Sequence, residues 1–143
     1  MPAVASTEIE SVVRRTIAAY NAATASEGGT VVKFLGDGSM LAFESARGAV
    51  RSAIRIQNET AAADFAVRVG IHSGEVLRTE NDLLGLTVNK AARVASAAAG
   101  GQIMISSTTR DLVGSMEGYA TGEPMTVTLK EISGTHHIVP VTW

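Results

Sequence analysis

The segment VVKFLGDGSMLAF, Val31 to Phe43, constrains the fold more than any other stretch of the chain. Two apolar runs flank Gly36-Asp37-Gly38. Asp-Gly in such a setting is the strongest short-range signal for a β-hairpin, because both turn positions tolerate positive φ. A lone hairpin is marginal in water, so the rest of the chain must supply further strands and a cover for the sheet. The chain has 143 residues, 45% hydrophobic and 18% charged, which suits one folded domain spanning 1–143 with a real core.

From Ser6 to Ala23 the residues Ile9, Val12, Val13, Ile17 and Tyr20 recur at helical spacing, while Glu10, Arg14 and Arg15 fall elsewhere. The pattern predicts a helix capped by Ser6 or Thr7, with Glu8 to Glu10 in its first turn and SEGG (Ser26 to Gly29) at its end. A second helix is predicted from about Ala46 to Ala62. Ala49, Val50, Ala53 and Ile54 form its buried stripe, and Arg47, Arg51 and Arg55 a solvated face. FAVRVGIHSGEV (Phe65 to Val76) alternates with period two, placing Val67, Val69 and Ile71 on one side of a strand. LTVNKAARVASAAAGG reads as a third helix stopped by Gly100 and Gly101. QIMIS follows as a strand, STTRDLVG as a short helix, and MTVTLKEI with HHIVPVTW as a closing hairpin. Interleaving of this kind implies helices covering a sheet, an α/β or α+β fold.

Charge and composition remove several function classes. The formal net charge is −2, with no block of like charge, which gives no support for nucleic-acid binding or an anionic membrane surface. Cysteine is absent, which excludes disulfides, thiolate metal sites and cysteine nucleophiles. No apolar run approaches the ~20 residues of a membrane span. MPAVASTEIE has neither the basic start nor the apolar stretch of a signal peptide. The expectation is a soluble, cytoplasmic protein with no membrane segment.

The candidate functional residues are few, and each alone has an ordinary structural reading. Asp37 suits a tight turn, and Lys33 on the strand before it can snorkel to water. Asn89 and Arg93 lie four apart, so they share a helix face. An amide donor and a guanidinium there suit a phosphate whose charge is changing, but equally a cap and a surface ion pair. Asp82 lies in the preceding loop. The joint occurrence of all five in one small domain favours a site.

GGTVVKFLGDGSMLAF, VRVGIHSGEV, GLTVNKAARV, GGQIMIS and TTRDLV together resemble the catalytic domain of class III adenylyl cyclases, in that family's order and spacing. The resemblance covers about Thr30 to Asp111. It implies a ferredoxin-like α+β fold and a lyase that converts ATP to cyclic AMP and pyrophosphate at the interface of a homodimer or heterodimer. Asp37 is similar to the second metal-binding aspartate, for Mg²⁺ or Mn²⁺. Lys33 and Asp82 match the adenine-reading pair, Asn89 the ribose-orienting asparagine and Arg93 the arginine at the α-phosphate. Lys130 sits near a triphosphate-binding lysine, which in the family is usually followed by glycine; here Glu131 follows. A structure burying Arg93 in a pair with a distant surface acid, or placing Lys33 on the opposite side of the sheet from any cleft, would count against these roles.

One departure is expected to matter. The family opens with a strand carrying the first metal aspartate, and no Asp precedes Asp37 here. With Glu8 and Glu10 read as helix residues, the first strand is expected to be missing, leaving the domain truncated at its N-terminus relative to the family. The chain alone is then expected to make little or no cyclic AMP. The alternative is a non-catalytic nucleotide-binding or dimerisation module that completes a site with a partner.

Overall fold

The computed structural model describes residues 3–9, 21–34, 38–62, 65–80 and 82–143; for 3–9 it gives the backbone and the Val4 side chain. In chain order the elements are β1 (Ala3–Ile9), α1 (residues 21–26), β2 (Thr30–Phe34), β3 (Gly38–Phe43), α2 (Ala46–Thr60), β4 (Val67–Ser73), β5 (Leu77–Arg78) and β6 (Leu83–Leu84). Then come α3 (Leu86–Ala97), β7 (Ile103–Ser106), α4 (Ser107–Val113), β8 (Ala120–Thr121), β9 (Met125–Leu129) and β10 (Ile132–Thr142). The main sheet runs β2-β3-β1-β4-β7-β10-β8, with β9 also on β10; β5 and β6 form a separate ribbon. Only β4 and β7 pair in parallel among the described strands.

The expected absence of a first strand is overturned. Ala3–Ile9 is a strand in mid-sheet, antiparallel to β3 on one side and β4 on the other. Ser6 and Thr7 are strand residues, not caps, and Glu8 is not in a helical first turn. Without β1, facing edges of β3 and β4 would carry backbone donors and acceptors with no partner in the core. Two complete ladders outweigh the weak local preference of AVASTEI, and the helical spacing was extended too far towards the N-terminus. Residues 10–20 of the predicted first helix lie outside the described residues; its last residues are helical at 21–26.

Strand alternation sends side chains to two layers. Leu41, Phe43, Val67, Val69, Ile71, Ile103 and Ile105 pack with Ala49, Val50, Ala53 and Ile56 of α2. Met40, Ala42 and Val4 face the opposite way, with Val88 and Ala91 of α3 and with Leu83. Val94 and Ala98 continue that layer onto Met104, Leu129 and Ile138. The helices therefore cover both faces, α2 on one and α3 on the other.

Gly70 sets how closely α3 approaches. A Cβ there would lie 2.1 Å from the Ala95 nitrogen and 2.8 Å from the Ala91 carbonyl oxygen. Helix backbone thus rests directly on β4. At the start of α2, the Ser45 Oγ accepts from the Gly48 N–H at 3.1 Å. The buried Gln57 donates from Nε2 to the Val67 carbonyl at 2.9 Å, tying α2 to β4. Arg51 and Arg55 are exposed and paired with Glu27 and Glu59. Arg47 does more than face solvent. Its Nε and Nη2 donate to the Val113 and Ser115 carbonyls at 2.9 and 3.2 Å, satisfying oxygens at the end of α4.

Candidate functional site: two grooves

The strand β2 carries Lys33 towards the β5–β6 ribbon. There Lys33 Nζ donates to Asp82 Oδ2 at 2.9 Å, joining residues 49 apart in sequence. Asp82 is fixed from its own loop as well. Its Oδ1 accepts from the Leu83 N–H at 2.8 Å, and its carbonyl accepts from the Thr79 N–H at 2.9 Å. The Lys33 ammonium, then the Leu83 N–H, hold the Asp82 carboxyl below the usual carboxylate range. A groove of about 220 Å³ opens beside the pair, lined by Thr30, Val31, Val32, Arg78, Asp82 and Leu83 among others. A fixed carboxylate acceptor and an ammonium donor thus stand side by side at the mouth of a groove.

Asn89 and Arg93 share a face of α3, Asn89 exposed and Arg93 half-buried, as the spacing predicts. They line a second groove of about 350 Å³ with Leu86, Ser96, Glu131 and Ile132. The two grooves have no lining residue in common. Gly85, at φ 121, lets the chain turn from β6 straight into α3. Three residues separate Asp82 from Leu86 at the helix start, so one short connection positions both grooves.

Arg93 is not free. Its Nη2 donates to Glu131 Oε2 at 2.6 Å, across 38 residues of sequence. The acid is distant, but Arg93 is only half-buried in the pair. Glu131 is 68% exposed and Arg93 32% in their side chains, so the pair sits at the rim and not in the core. Lys130 is exposed at the β9–β10 turn and does not line the groove. The Arg93 partner escaped sequence reasoning, though its signal was present: an acid at a turn position where glycine is expected.

Asp37 lies outside the described residues. Its chain neighbour Gly38 is opposite Glu8 in the β1–β3 register. Among the described residues no three His, Cys, Asp or Glu side chains form a metal-binding group. No helix among the described residues is long and apolar enough to cross a membrane.

The family model for the adenylate and guanylate cyclase catalytic domain matches residues 3–139, and the chain belongs to that family. The same architecture recurs in an adenylate cyclase of Trypanosoma brucei described in its monomeric state. Its TM-score is 0.89 at 20% identity, covering 98% of this chain and 87% of that one. The catalytic core of a rhodopsin-guanylyl cyclase with converted specificity, in complex with ATPαS, gives 0.83 at 23% identity over 99% and 94% of the two chains. In sequence, an uncharacterized protein of Mycobacterium tuberculosis is 38% identical over 103 residues, 71% of this chain. The chain spans only 27% of that relative's length.

Proposed function

We propose that the chain is an adenylyl cyclase domain, converting ATP to cyclic AMP and pyrophosphate in a two-fold, head-to-tail dimer. The observation that carries the choice of base is the Lys33–Asp82 pair at 2.9 Å. The ammonium can donate to adenine N1 and the carboxylate can accept from the exocyclic amine. Guanine presents the opposite pattern on that edge. The pair must part to admit a base. Both side chains are about a third exposed and water screens the pair, so parting costs little.

In this reading the ribose 3′-oxygen loses its proton and bonds to the α-phosphorus. The bond from that phosphorus to the β-phosphate bridge breaks, and pyrophosphate leaves. Asn89 orients the ribose, and Arg93 offsets charge gathering on the α-phosphate. Lys130, exposed on the β9–β10 turn and outside the groove lining, is assigned to the outer phosphates by the resemblance alone. Asp37, with Glu8, whose backbone lies opposite Gly38, would hold divalent ions. When bound, such ions lower the pKa of the attacking oxygen and neutralise the phosphates. The protein's own contribution is positioning, because in-line transfer depends on geometry. Phe34, Leu77, Leu84 and Leu86 are exposed near the two grooves and supply apolar surface for a second copy.

A second reading is favoured by one observation, the absence of any Asp before Asp37. Here the domain binds nucleotide or a partner cyclase domain without turnover. Measuring cyclic AMP formation from ATP with Mn²⁺ separates the two. The cyclase reading expects product that is lost in both Asp37→Ala and Glu8→Ala. Product from neither wild type nor a mixture with an active partner domain would remove it. Product formed only with that partner would establish the second reading.

A further inference from the structure

Glu131 is the only non-glycine residue with positive φ among the described residues, at 65°. It is the second residue of the two-residue turn joining β9 to β10, between the paired Leu129 and Ile132. Positive φ at the second turn position favours glycine or asparagine, because a Cβ crowds the backbone there. An acidic side chain is therefore kept at this point against local backbone preference. An outlier of this kind is a reason to look for a role.

The surroundings point to what the side chain does. Glu131 Oε2 accepts a hydrogen bond from Arg93 Nη2 at 2.6 Å, at the rim of the groove that Asn89 and Arg93 line. The turn is held against α3 from below, since Leu129 packs with Val94, the residue after Arg93. The carboxylate is thus pre-positioned at the guanidinium. A carboxylate is also the protein group closest in charge and geometry to a phosphate edge.

We propose that Glu131 is a latch that occupies Arg93 in place of a phosphate and has to swing out before a nucleotide's phosphates can bind. The latch rests on the reading of Arg93 as a phosphate-contacting residue. Glu131 is largely exposed and makes this contact through one oxygen, so a polyphosphate with several oxygens and higher charge displaces it. While closed, the latch lowers apparent affinity by the fraction of molecules in which Arg93 is open. An exposed pair of this kind corresponds to roughly a 1.5- to 5-fold effect, larger at low salt.

The test uses the whole chain and inorganic triphosphate as the probe, with binding followed by calorimetry at low and high salt. Glu131→Gln keeps the backbone strain and removes the charge; Glu131→Gly removes both. Both are expected to bind triphosphate roughly 1.5- to 5-fold more tightly than wild type, with the gain shrinking as salt rises. Glu131→Gly alone should also melt at higher temperature, so a purely structural role would raise stability without a gain in Glu131→Gln. Arg93→Ala should bind weakly, and adding Glu131→Gln to it should change nothing. If Arg93→Ala weakens binding but Glu131→Gln does not tighten it, the latch is wrong and the Arg93 reading stands. If Arg93→Ala binds as wild type does, the reading of Arg93 falls and the latch with it. Failure of both wild type and Glu131→Gln to bind triphosphate also overturns the latch.

Discussion

Replacing Gly70 by alanine should damage this domain more than its one added carbon suggests. The new Cβ would lie 2.1 Å from the Ala95 nitrogen, 2.5 Å from the Ala95 Cα and 2.8 Å from the Ala91 carbonyl oxygen. All three are α3 backbone atoms, so no side chain can rotate away. Restoring ordinary contact, about 3.4 Å, requires α3 to move off β4 by about 1.3 Å. Overpacking of this kind costs ~1–3 kcal/mol, and a backbone neighbour places it at the upper end. Gly70 has no positive φ, so alanine also removes unfolded-state freedom, which offsets ~0.4–1 kcal/mol. The net loss is about 2 kcal/mol. With a urea dependence of about 2 kcal/mol per molar, the unfolding midpoint should fall by about 1 M. Gly48→Ala is the control. Its Cβ would meet nothing closer than 3.4 Å and sits in α2, so it should be neutral or stabilising by up to ~1 kcal/mol. Because α3 carries Asn89 and Arg93, a displacement near 1 Å should also lower any catalytic rate by about 100-fold. A Gly70→Ala protein with the wild-type midpoint would refute the reasoning, since it would mean α3 does not rest on β4 as described.

Lys33→Glu should reduce any preference for ATP over GTP analogues by roughly 5- to 150-fold, the effect of leaving one polar group unpaired, as read by competition binding. Equal binding of both nucleotides to both proteins would remove the adenine-reading role. His72 is pushed down to about 4 by burial, then by Lys90 and His136, and its Nδ1 meets the Ser106 Oγ at 2.6 Å. Between about pH 4 and pH 6.5 the unfolded chain binds the His72 proton and the folded one does not. Stability from this group is therefore complete above pH 6.5 and lost as pH falls towards 4, by up to about 3 kcal/mol less what solvent screening of this partly exposed ring removes. Urea midpoints at pH 7 and pH 4.5 should converge in His72→Gln relative to wild type. Arg47→Ala removes donors from the Val113 and Ser115 carbonyls and should cost ~1 kcal/mol, or ~2–5 °C in melting temperature. Arg51→Ala, which loses an exposed pair with Glu27 at 3.5 Å, should stay within ~0.5 kcal/mol.

Most elements and the candidate residues could be read from local chemistry. The two apolar runs flanking Gly36-Asp37-Gly38 predict strands, and β2 and β3 form on them. Val67, Val69 and Ile71 alternate into the core as period two requires. Asn89 and Arg93 share a helix face because 3.6 residues make a turn. These are properties of the chain over a few residues, so the sequence by itself determines them. It also determines that no Asp precedes Asp37, whatever the fold.

Three things were decided only by the tertiary structure. AVASTEI has little local preference, and it is a strand because β3 and β4 each offer it a full ladder; that places Glu8 opposite Gly38. Lys33 and Asp82 meet because β2 and the β5–β6 ribbon converge on one side of the sheet, which no spacing within 49 residues encodes. Arg93 is held by Glu131 because Leu129 docks the β9–β10 turn onto α3. Each depends on residues far apart in sequence sharing a core or a ladder. The free energy that fixes them comes from surface buried and backbone bonds closed between elements, and none of it is present in any one element alone.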